Sequence, residues 1–259
     1  MSTSPRPLPF ELVVLGAGPA YTDKAGATGA AYLVRHDDDA LVLDLGQGSF
    51  PALAGAIEPS ALLAVVVSHL HPDHFIDLVA LRHYLRWEFH PPRHVRVLGP
   101  EGMGDRLDAL HGEAGWTAQA LDVEPLAVGE RRIGPFTVES RIVTHTDESY
   151  GFRVGLAGAG ADGIGLVYSG DCGVADDMRP LIRSGDWLLT EISFGAGPAE
   201  PGAEHLDGPA VGALAAATHP GRVMLTHLQM GHDEAAAIAS VKALYDGPVE
   251  LVGPGSAYT

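Results

Sequence analysis

The chain has few of the residues that form disulfide cross-links or bind long polyanions. Its 259 residues include one cysteine, Cys172, so an internal disulfide is excluded. Lys24 and Lys242 are its two lysines, and 33 acidic residues against 16 Lys plus Arg give a formal net charge of −17. Because so acidic a surface repels polyphosphate chains at long range, the composition disfavours a large nucleic-acid footprint.

Long apolar stretches are also lacking. No stretch approaches the roughly 20 apolar residues that a membrane-spanning helix needs. Residues 1–10 are rich in Pro and Ser and show neither the apolar core nor the cleavage pattern of a secretory signal. With the single cysteine, these features predict a cytoplasmic protein. No internal repeat or long linker is visible, so residues 1–259 are expected to form a single domain.

The order of predicted strands and helices indicates an α/β fold. Apolar, β-branched stretches predict strands at residues 10–15, 31–34, 40–44, 62–67, 94–98, 136–142, 151–154, 164–168, 187–190, 223–226 and 249–252. Apolar periodicity and stop signals predict helices at residues 75–88, 101–111, 174–184, 209–218 and 233–245. This order is typical of an αββα sandwich, in which two mixed β-sheets pack face to face with helices outside.

The most informative segment places four potential metal ligands within six residues, directly after the strand predicted at residues 62–67. The pattern is His-x-His-x-Asp-His, formed by His69, His71, Asp73 and His74. These side chains therefore lie where a buried strand gives way to a loop, the edge at which open α/β sheets bind their ligands. Imidazole and carboxylate together suit Zn²⁺ and its borderline neighbours, and the mixed set indicates two ions.

Three further candidates lie at the ends of later predicted strands. They are His145 in Val-Thr-His-Thr, Asp171 in Tyr-Ser-Gly-Asp-Cys, and His227 in Leu-Thr-His-Leu. The full set of seven resembles the metallo-β-lactamase superfamily in its dinuclear form. In that family, His-x-His-x-Asp-His is followed by a histidine, a bridging aspartate and a last histidine. The resemblance runs from the first strand to His227 and implies the metallo-β-lactamase fold.

The resemblance also implies how the ligands divide between two ions. One ion would be held by His69, His71 and His145, the second by Asp73, His74 and His227, with Asp171 between them. Such a pair shares a hydroxide, because metal coordination lowers the pKa of water towards neutrality. Asp73 and Asp171 would orient this nucleophile. Zn²⁺ is the expected metal, and Mn²⁺ or Fe²⁺ could use the same ligands.

Glu191 and His205 resemble a pair found in the phosphodiesterase branch of the superfamily. That branch includes ribonuclease Z and small actinobacterial relatives that act on cyclic nucleotides, and in it a strand-end glutamate and a later histidine lie near the metals. A histidine held by a carboxylate can protonate a leaving alkoxide. The alternative is that Glu191 caps its loop and that His205 is a polar residue before the following helix.

The sequence departs from this branch in ways that bear on the substrate. Cys172 stands where relatives commonly have threonine, and we expect it to be structural because adjacent strand residues point in opposite directions. Only 26 positions separate His145 from Asp171, and the Gly-rich residues 155–165 predict a hairpin turn rather than the RNA-gripping arm of transfer-RNA-processing members. The missing arm and the acidic charge make a large RNA the less expected substrate.

A small anionic phosphodiester, such as a 3′,5′-cyclic nucleotide, is therefore the expected substrate. Three alternatives remain open at this point: a ribonuclease Z-like tRNA 3′-processing endonuclease, a lactonase or thioesterase of the same fold, and a metal-binding scaffold without catalysis. The resemblance also allows a homodimer. It gives no reason to expect a membrane partner.

Overall fold

Two mixed sheets form the centre of the structure, a computed structural model that describes residues 5–160 and 162–259. The first sheet contains β1 (Glu11–Gly16), β2 (Ala31–His36), β3 (Asp39–Leu43), β4 (Ala64–Val66), β5 (Val95–Gly99), β6 (Leu121–Pro125) and β14 (Ala257–Tyr258). The second contains β7 (Gly129–Ile133), β8 (Phe136–Ile142), β9 (Tyr150–Leu156), β10 (Leu166–Tyr168), β11 (Trp187–Glu191), β12 (Arg222–Thr226) and β13 (Val249–Leu251).

The two sheets have the same plan. Their strand orders are β14-β1-β2-β3-β4-β5-β6 and β13-β12-β11-β10-β9-β8-β7. In the first sheet β1 to β3 are antiparallel and β3 to β6 are parallel. In the second, β7 to β10 are antiparallel and β10 to β13 are parallel. The parallel parts need crossovers, and helices lie in these crossovers as expected for covered parallel strands.

Three apolar layers hold the sheets and helices together. Between the sheets, alternate residues such as Tyr32 and Val34 of β2 face Phe136 and Phe152 of the second sheet. The residue between them, Leu33, belongs to the apolar layer on the opposite face of β2. Because both faces of these strands are buried, their sequences read as continuous apolar runs instead of alternating ones.

The helices cover the outer faces of both sheets. They are α1 (Phe50–Ala56), α2 (Pro72–Phe75), α3 (Leu78–Trp87), α4 (Met103–His111), α5 (Gly208–Thr218) and α6 (Glu234–Lys242). Leu81 and Leu85 of α3 pack on the first sheet, and Leu214 of α5 and Val241 of α6 pack on the second. The predicted αββα sandwich is thereby confirmed. Among the described residues, no helix combines the length and apolarity needed to cross a bilayer.

Several local predictions were wrong. The helix predicted at residues 174–184 is a short 3₁₀ turn, Ala175–Met178, since Pro180 lacks an amide hydrogen and restricts the residue before it. The sequence pattern also missed α1, β6, β7 and β14. Residues 1–4 of the N-terminus predicted to lack a signal, and Ala161 of the predicted Gly-rich turn, lie outside the described residues.

Truncating a side chain between the sheets should destabilise the protein strongly. Phe136 is 0% exposed and contacts Phe10 edge-on at 6.2 Å between ring centroids. We expect Phe136→Ala to lower the free energy of unfolding by about 3–5 kcal/mol, through lost burial and the cavity left behind. Chemical denaturation of the chelator-treated protein measures this. The control is Tyr21→Ala, which removes a ring that is 67% exposed and should change stability by less than about 0.5 kcal/mol. Equal losses in both variants would contradict the packing described.

Candidate metal centre

The loop after β4 carries the first four candidate ligands. His69 and His71 lie in the loop itself, and Pro72 begins α2, where its missing amide hydrogen costs nothing. This short helix presents Asp73 and His74 towards the same point as the loop. The carbonyl of Asp73 accepts a hydrogen bond from the Ala30 amide at 2.9 Å, which ties α2 to the first sheet.

A glycine makes this close approach feasible. A Cβ atom on Gly46 would lie 1.8 Å from the carbonyl oxygen of Asp73, so any larger residue at position 46 would push α2 away from the sheet. Nothing in the sequence distinguishes Gly46 from the other glycines among the 33 in the chain. Only the packing shows that Gly46 helps to position the two candidate ligands of α2.

The remaining ligands come from the second sheet. His145 follows β8, Asp171 follows β10 and His227 follows β12. These three strands run in the same direction, so their carboxyl ends meet at one edge of the sheet. That edge faces the loop after β4, and all seven predicted ligands are brought together there.

The seven side chains form two groups. Ligand atoms of His69, His71, His145 and Asp171 lie within 4.8 Å of one another, and so do those of Asp73, His74 and His227. The resemblance had assigned the three histidines of the first group to one ion and the second group to the other, with Asp171 between them. A third group, also within 4.8 Å, contains Asp171, His205 and His227.

Asp171 lies between the first two groups, with one carboxylate oxygen towards each. Its Oδ2 is 3.8 Å from His69 Nε2 and 3.7 Å from His145 Nε2. Its Oδ1 is 3.3 Å from His74 Nε2 and 3.6 Å from His227 Nε2. A carboxylate in this position could contact a cation in each of the two groups.

The protonation of His69 and of Asp171 also suits metal binding. Burial lowers the pKa of His69 well below its usual value, and the neighbouring His74 lowers it further, so His69 is neutral. Burial opposes ionisation of Asp171, but the charges of His227 and His74 hold its pKa well below the usual range. Neutral imidazole and ionised carboxylate are the forms that coordinate metals.

Two buried atoms give an independent indication of a missing positive charge. Within the described residues, His69 Nε2 and Asp171 Oδ1 are buried and have no hydrogen-bond partner. A buried polar atom without a partner costs about 1–3 kcal/mol, so native proteins seldom leave one. Both atoms point into the space between the ligands, and cations bound there would satisfy them. The residues present therefore fit divalent metal ions.

Hydrogen bonds behind the ligands fix the orientation of the histidine rings. His145 Nδ1 donates to the carbonyl of Glu204 at 2.8 Å, and His227 Nδ1 donates to Ser193 Oγ at 3.1 Å. With Nδ1 occupied in this way, Nε2 of each ring faces the centre and is the nitrogen available to a metal ion. Such outer contacts set both the tautomer and the basicity of metal-bound histidine.

Asp44 is a residue of the centre that the sequence interpretation missed. This fully buried carboxylate accepts hydrogen bonds from His74 Nδ1 at 2.7 Å, from Tyr168 at 2.6 Å and from the amide of Ser68 at 2.6 Å. Burial opposes protonation of His74, but Asp171 and Asp44 together raise the pKa of His74 well above its usual value. The available signal was an aspartate ending the apolar run Leu41–Leu43, which was interpreted only as the end of a strand.

Backbone strain coincides with these positions. Asp44 and His227 have φ angles of 58° and 59°, in the left-handed region that residues other than glycine seldom adopt. Such strain persists only where the surroundings enforce it, and it clusters at functional sites.

Glu191 and His205 also lie beside the centre. Glu191 is the last residue of β11, and its Oε1 accepts hydrogen bonds from His205 Nδ1 at 3.0 Å and from the amide of Cys172 at 2.7 Å. Its Oε2 accepts from the amide of Ser193 at 3.1 Å. Glu191 therefore holds its own loop, as the alternative interpretation expected, and orients His205 as well.

His205 is placed to exchange a proton. Its Nδ1 lies 3.8 Å from Asp171 Oδ2, and its side chain keeps 18% of its surface exposed. Burial lowers the pKa of His205, but the hydrogen bond and the charge of Glu191 outweigh this and raise the pKa above its usual value. Within the described residues, Nε2 of His205 makes no hydrogen bond, so it is free to meet a substrate atom.

The remaining cysteine and histidine side chains are not among the candidate ligands. Burial raises the pKa of Cys172 to about 12, and its Sγ contacts the carbonyl of Val174 at 3.2 Å. It is therefore a protonated thiol with a structural environment. None of the remaining histidines belongs to the described metal-ligand groups; they are His36, His83, His90, His94, His111, His219 and His232.

Removing the charge of Asp44 should weaken metal binding without removing a ligand. We expect Asp44→Asn to reduce Zn²⁺ affinity about 10- to 100-fold, because partners that orient ligating histidines typically contribute that much. Competition titration against a chromogenic chelator measures the affinity.

A matched control exists on the surface, where His94 Nδ1 and Asp122 Oδ1 are 2.9 Å apart and exposed. Asp122→Asn should leave Zn²⁺ affinity unchanged. An Asp44→Asn protein that folds normally and binds Zn²⁺ as tightly as the control would show that Asp44 does not support the centre.

Known proteins resemble the chain in both sequence and fold. The family model described as "Beta-lactamase superfamily domain" matches residues 42–228. An uncharacterized protein of Mycobacterium leprae is 34% identical over 88% of this chain and 81% of its own length. The probable metallo-hydrolase YhfI of Bacillus subtilis is 26% identical over 95% of this chain and 98% of its own length. A ribonuclease Z of Salinispora arenicola is 26% identical over 89% of both chains.

The fold comparison agrees with the sequence comparison. The crystal structure of Bacillus subtilis YhfI superposes with a TM-score of 0.84, covering 97% of this chain and 100% of that one at 21% identity. Taken with the two groups of His and Asp ligands, the family match gives a plain conclusion: the chain belongs to the beta-lactamase superfamily of metallo-hydrolases.

Proposed function

We propose that the protein is a dinuclear-metal phosphodiesterase that acts on a small phosphodiester, with a 3′,5′-cyclic nucleotide as the leading candidate. The observation that carries this proposal is the Glu191–His205 pair, whose Nδ1–Oε1 distance is 3.0 Å, beside the bridging position of Asp171. The two sheets share one apolar core, so we also propose that the chain acts as a single domain.

The metal ions would supply the nucleophile. Two divalent ions, with Zn²⁺ proposed first and Mn²⁺ or Fe²⁺ as alternatives, would provide a hydroxide near neutral pH and offset charge on the phosphate. His69, His71 and His145 would hold one ion, and Asp73, His74 and His227 the other. Asp171 would contact both, and together with Asp73 it would orient the attacking oxygen.

His205 would act at the other side of the phosphorus. An alkoxide leaves poorly unless it receives a proton, and general acids contribute about 10²- to 10⁴-fold to such steps. The Nδ1 hydrogen of His205 is held by Glu191, so Nε2 would deliver the proton. The raised pKa of His205 keeps more of the imidazolium form near neutral pH. Glu191 is thus a positioning residue for this step.

A substrate panel tests the proposal directly. Metal-loaded protein should hydrolyse bis-p-nitrophenyl phosphate and cyclic AMP, monitored by nitrophenolate absorbance and by chromatography. The protein should turn over lactones and thioesters poorly. Failure on both phosphodiesters with good turnover of a lactone or thioester would reject the phosphodiesterase assignment in favour of a carbon-ester hydrolase.

The role of His205 predicts a dependence on the leaving group. His205→Ala should lower kcat on cyclic AMP about 10²- to 10⁴-fold. The same variant should lose much less on bis-p-nitrophenyl phosphate, since nitrophenolate leaves without a proton. Steady-state kinetics at matched metal content measure both losses.

His94→Ala, at an exposed histidine, serves as the control and should leave both rates unchanged. Equal losses on the two substrates in His205→Ala would argue against proton donation and for a role of His205 in building the centre.

A second candidate function rests on the relative named ribonuclease Z, which is 26% identical over 89% of this chain. A ribonuclease Z-like activity would show as endonucleolytic cleavage of precursor tRNA, with binding that weakens as salt increases. The net charge of −17 favours the small substrate. Efficient precursor cleavage with no turnover of cyclic AMP would reverse this preference.

A further inference from the structure

A groove opens next to the side chain that would protonate the leaving group. Its volume is about 390 Å³, and its walls come from Phe194, the loop of residues 196–203, and residues 231–233 before α6. The ring of Phe194 stands perpendicular to the imidazole of His205, with ring centroids 5.6 Å apart. The groove therefore begins at a side chain that contacts His205, close to where a group attached to the oxygen that His205 protonates would lie.

The walls of the groove are held in place before any ligand arrives. The amide of Phe194 donates to the carbonyl of Leu206 at 3.1 Å, and the amide of Ala199 donates to Asp207 Oδ2 at 2.6 Å. Asp207 also caps α5 through the amide of Ala210 at 2.8 Å. The loop is thus held by a helix, and this lowers the entropy cost of ordering the loop when a ligand binds.

His232 lies against the backbone of the same loop. Gly195 has a φ of 56°, and a Cβ atom at this position would lie 2.6 Å from Nδ1 of His232. The glycine therefore lets the imidazole pack directly on the loop. His232 is exposed and lies in the wall of the groove.

The charges in the groove indicate what it can bind. Among the described residues that line it, none is Lys or Arg, whereas Glu200 and Asp233 carry carboxylates. An additional phosphate or carboxylate would be repelled there. Phe194 and His232 offer planar faces instead, and aromatic side chains stack with any nucleobase at about 1–3 kcal/mol per base. An uncharged planar ring suits these walls.

We propose that this groove binds the base of the nucleoside attached to the leaving oxygen, with Phe194 as its main stacking side chain. This inference rests on the proposed function, because it assigns the substrate group that lies beyond the phosphate. It makes the preferred substrate a phosphodiester with an uncharged nucleoside on the leaving side. Phe194 is then a residue that determines specificity.

The test measures binding of adenosine, which carries the base and sugar without phosphate. Ligand-observed NMR on the chelator-treated protein gives a dissociation constant that needs no turnover. We expect Phe194→Ala to weaken adenosine binding about 5- to 150-fold, the range that corresponds to the stacking free energy of one base. Phe194→Tyr keeps the ring and should retain the affinity. Ribose, which lacks a base, should show no binding to either protein.

The matched control is Trp87→Ala, which removes an aromatic ring that is 58% exposed on α3 and should leave adenosine binding unchanged. Circular dichroism of each variant confirms folding, and the comparison of adenosine with ribose on the wild-type protein keeps the test decisive if Phe194→Ala does not fold. Equal affinity of wild type and Phe194→Ala for adenosine, or equal binding of ribose and adenosine, would overturn the groove assignment. An absence of phosphodiester hydrolysis would instead overturn the proposed function, since adenosine binding is measured independently of it.

Discussion

The buried carboxylate of Asp171 is the constraint on which the rest of the centre depends. It is ionised, lies at the carboxyl end of β10, and faces imidazoles on both sides at 3.3–3.8 Å. A buried charge is costly unless positive charge lies close to it. The convergence of five histidines from two sheets on this one group follows from that cost. Divalent ions between them would meet the same requirement more completely than protonated histidines do.

Two further buried carboxylates arrange the histidines from behind. Asp44 receives a hydrogen bond from His74 at 2.7 Å on the side of the first sheet. Glu191 receives one from His205 at 3.0 Å on the side of the second sheet. Glu191 also accepts from Ser193, whose hydroxyl contacts His227 Nδ1 at 3.1 Å. One carboxylate therefore orients both a candidate ligand and the candidate proton donor, so these two functions are mechanically linked.

The apolar pattern of the sequence was enough to predict strands that are buried on both faces. It was also enough to predict where in the chain the candidate ligands lie. Strands such as β4 and β12 are recognisable by their continuous apolar residues, and candidate ligands follow them closely in sequence. Among the described residues, three of the four edge strands, β6, β7 and β14, could not be found in this way. The strand β7, Gly-Glu-Arg-Arg-Ile, is mostly polar because solvent covers one face, and its pairing with β8 supplies what its own sequence lacks.

Contacts between distant segments were the other part that sequence could not supply. Asp44 and His74 are 30 positions apart, and nothing in their spacing reveals a hydrogen bond. Gly46 matters only because Asp73 approaches it, and His232 matters only because Gly195 lets it pack on the loop of Phe194. Such residues acquire their roles from the meeting of two or more segments. The pattern of ligands can therefore predict a metal centre, whereas the groove that we propose for the substrate is built from a short, glycine-rich loop that is uninformative by itself.

The acidic surface and the metal centre have opposite effects on an approaching anion. The net charge of −17 repels a polyanion over its whole length. A single phosphodiester carries one negative charge and is therefore repelled much less, and two divalent cations would offset this repulsion at short range. The groove beside His205 has carboxylates and no cation among its described lining residues, so a second phosphate would gain nothing by entering. Charge thus favours a small substrate before any base is recognised, and stacking on Phe194 would then distinguish nucleosides from other leaving groups.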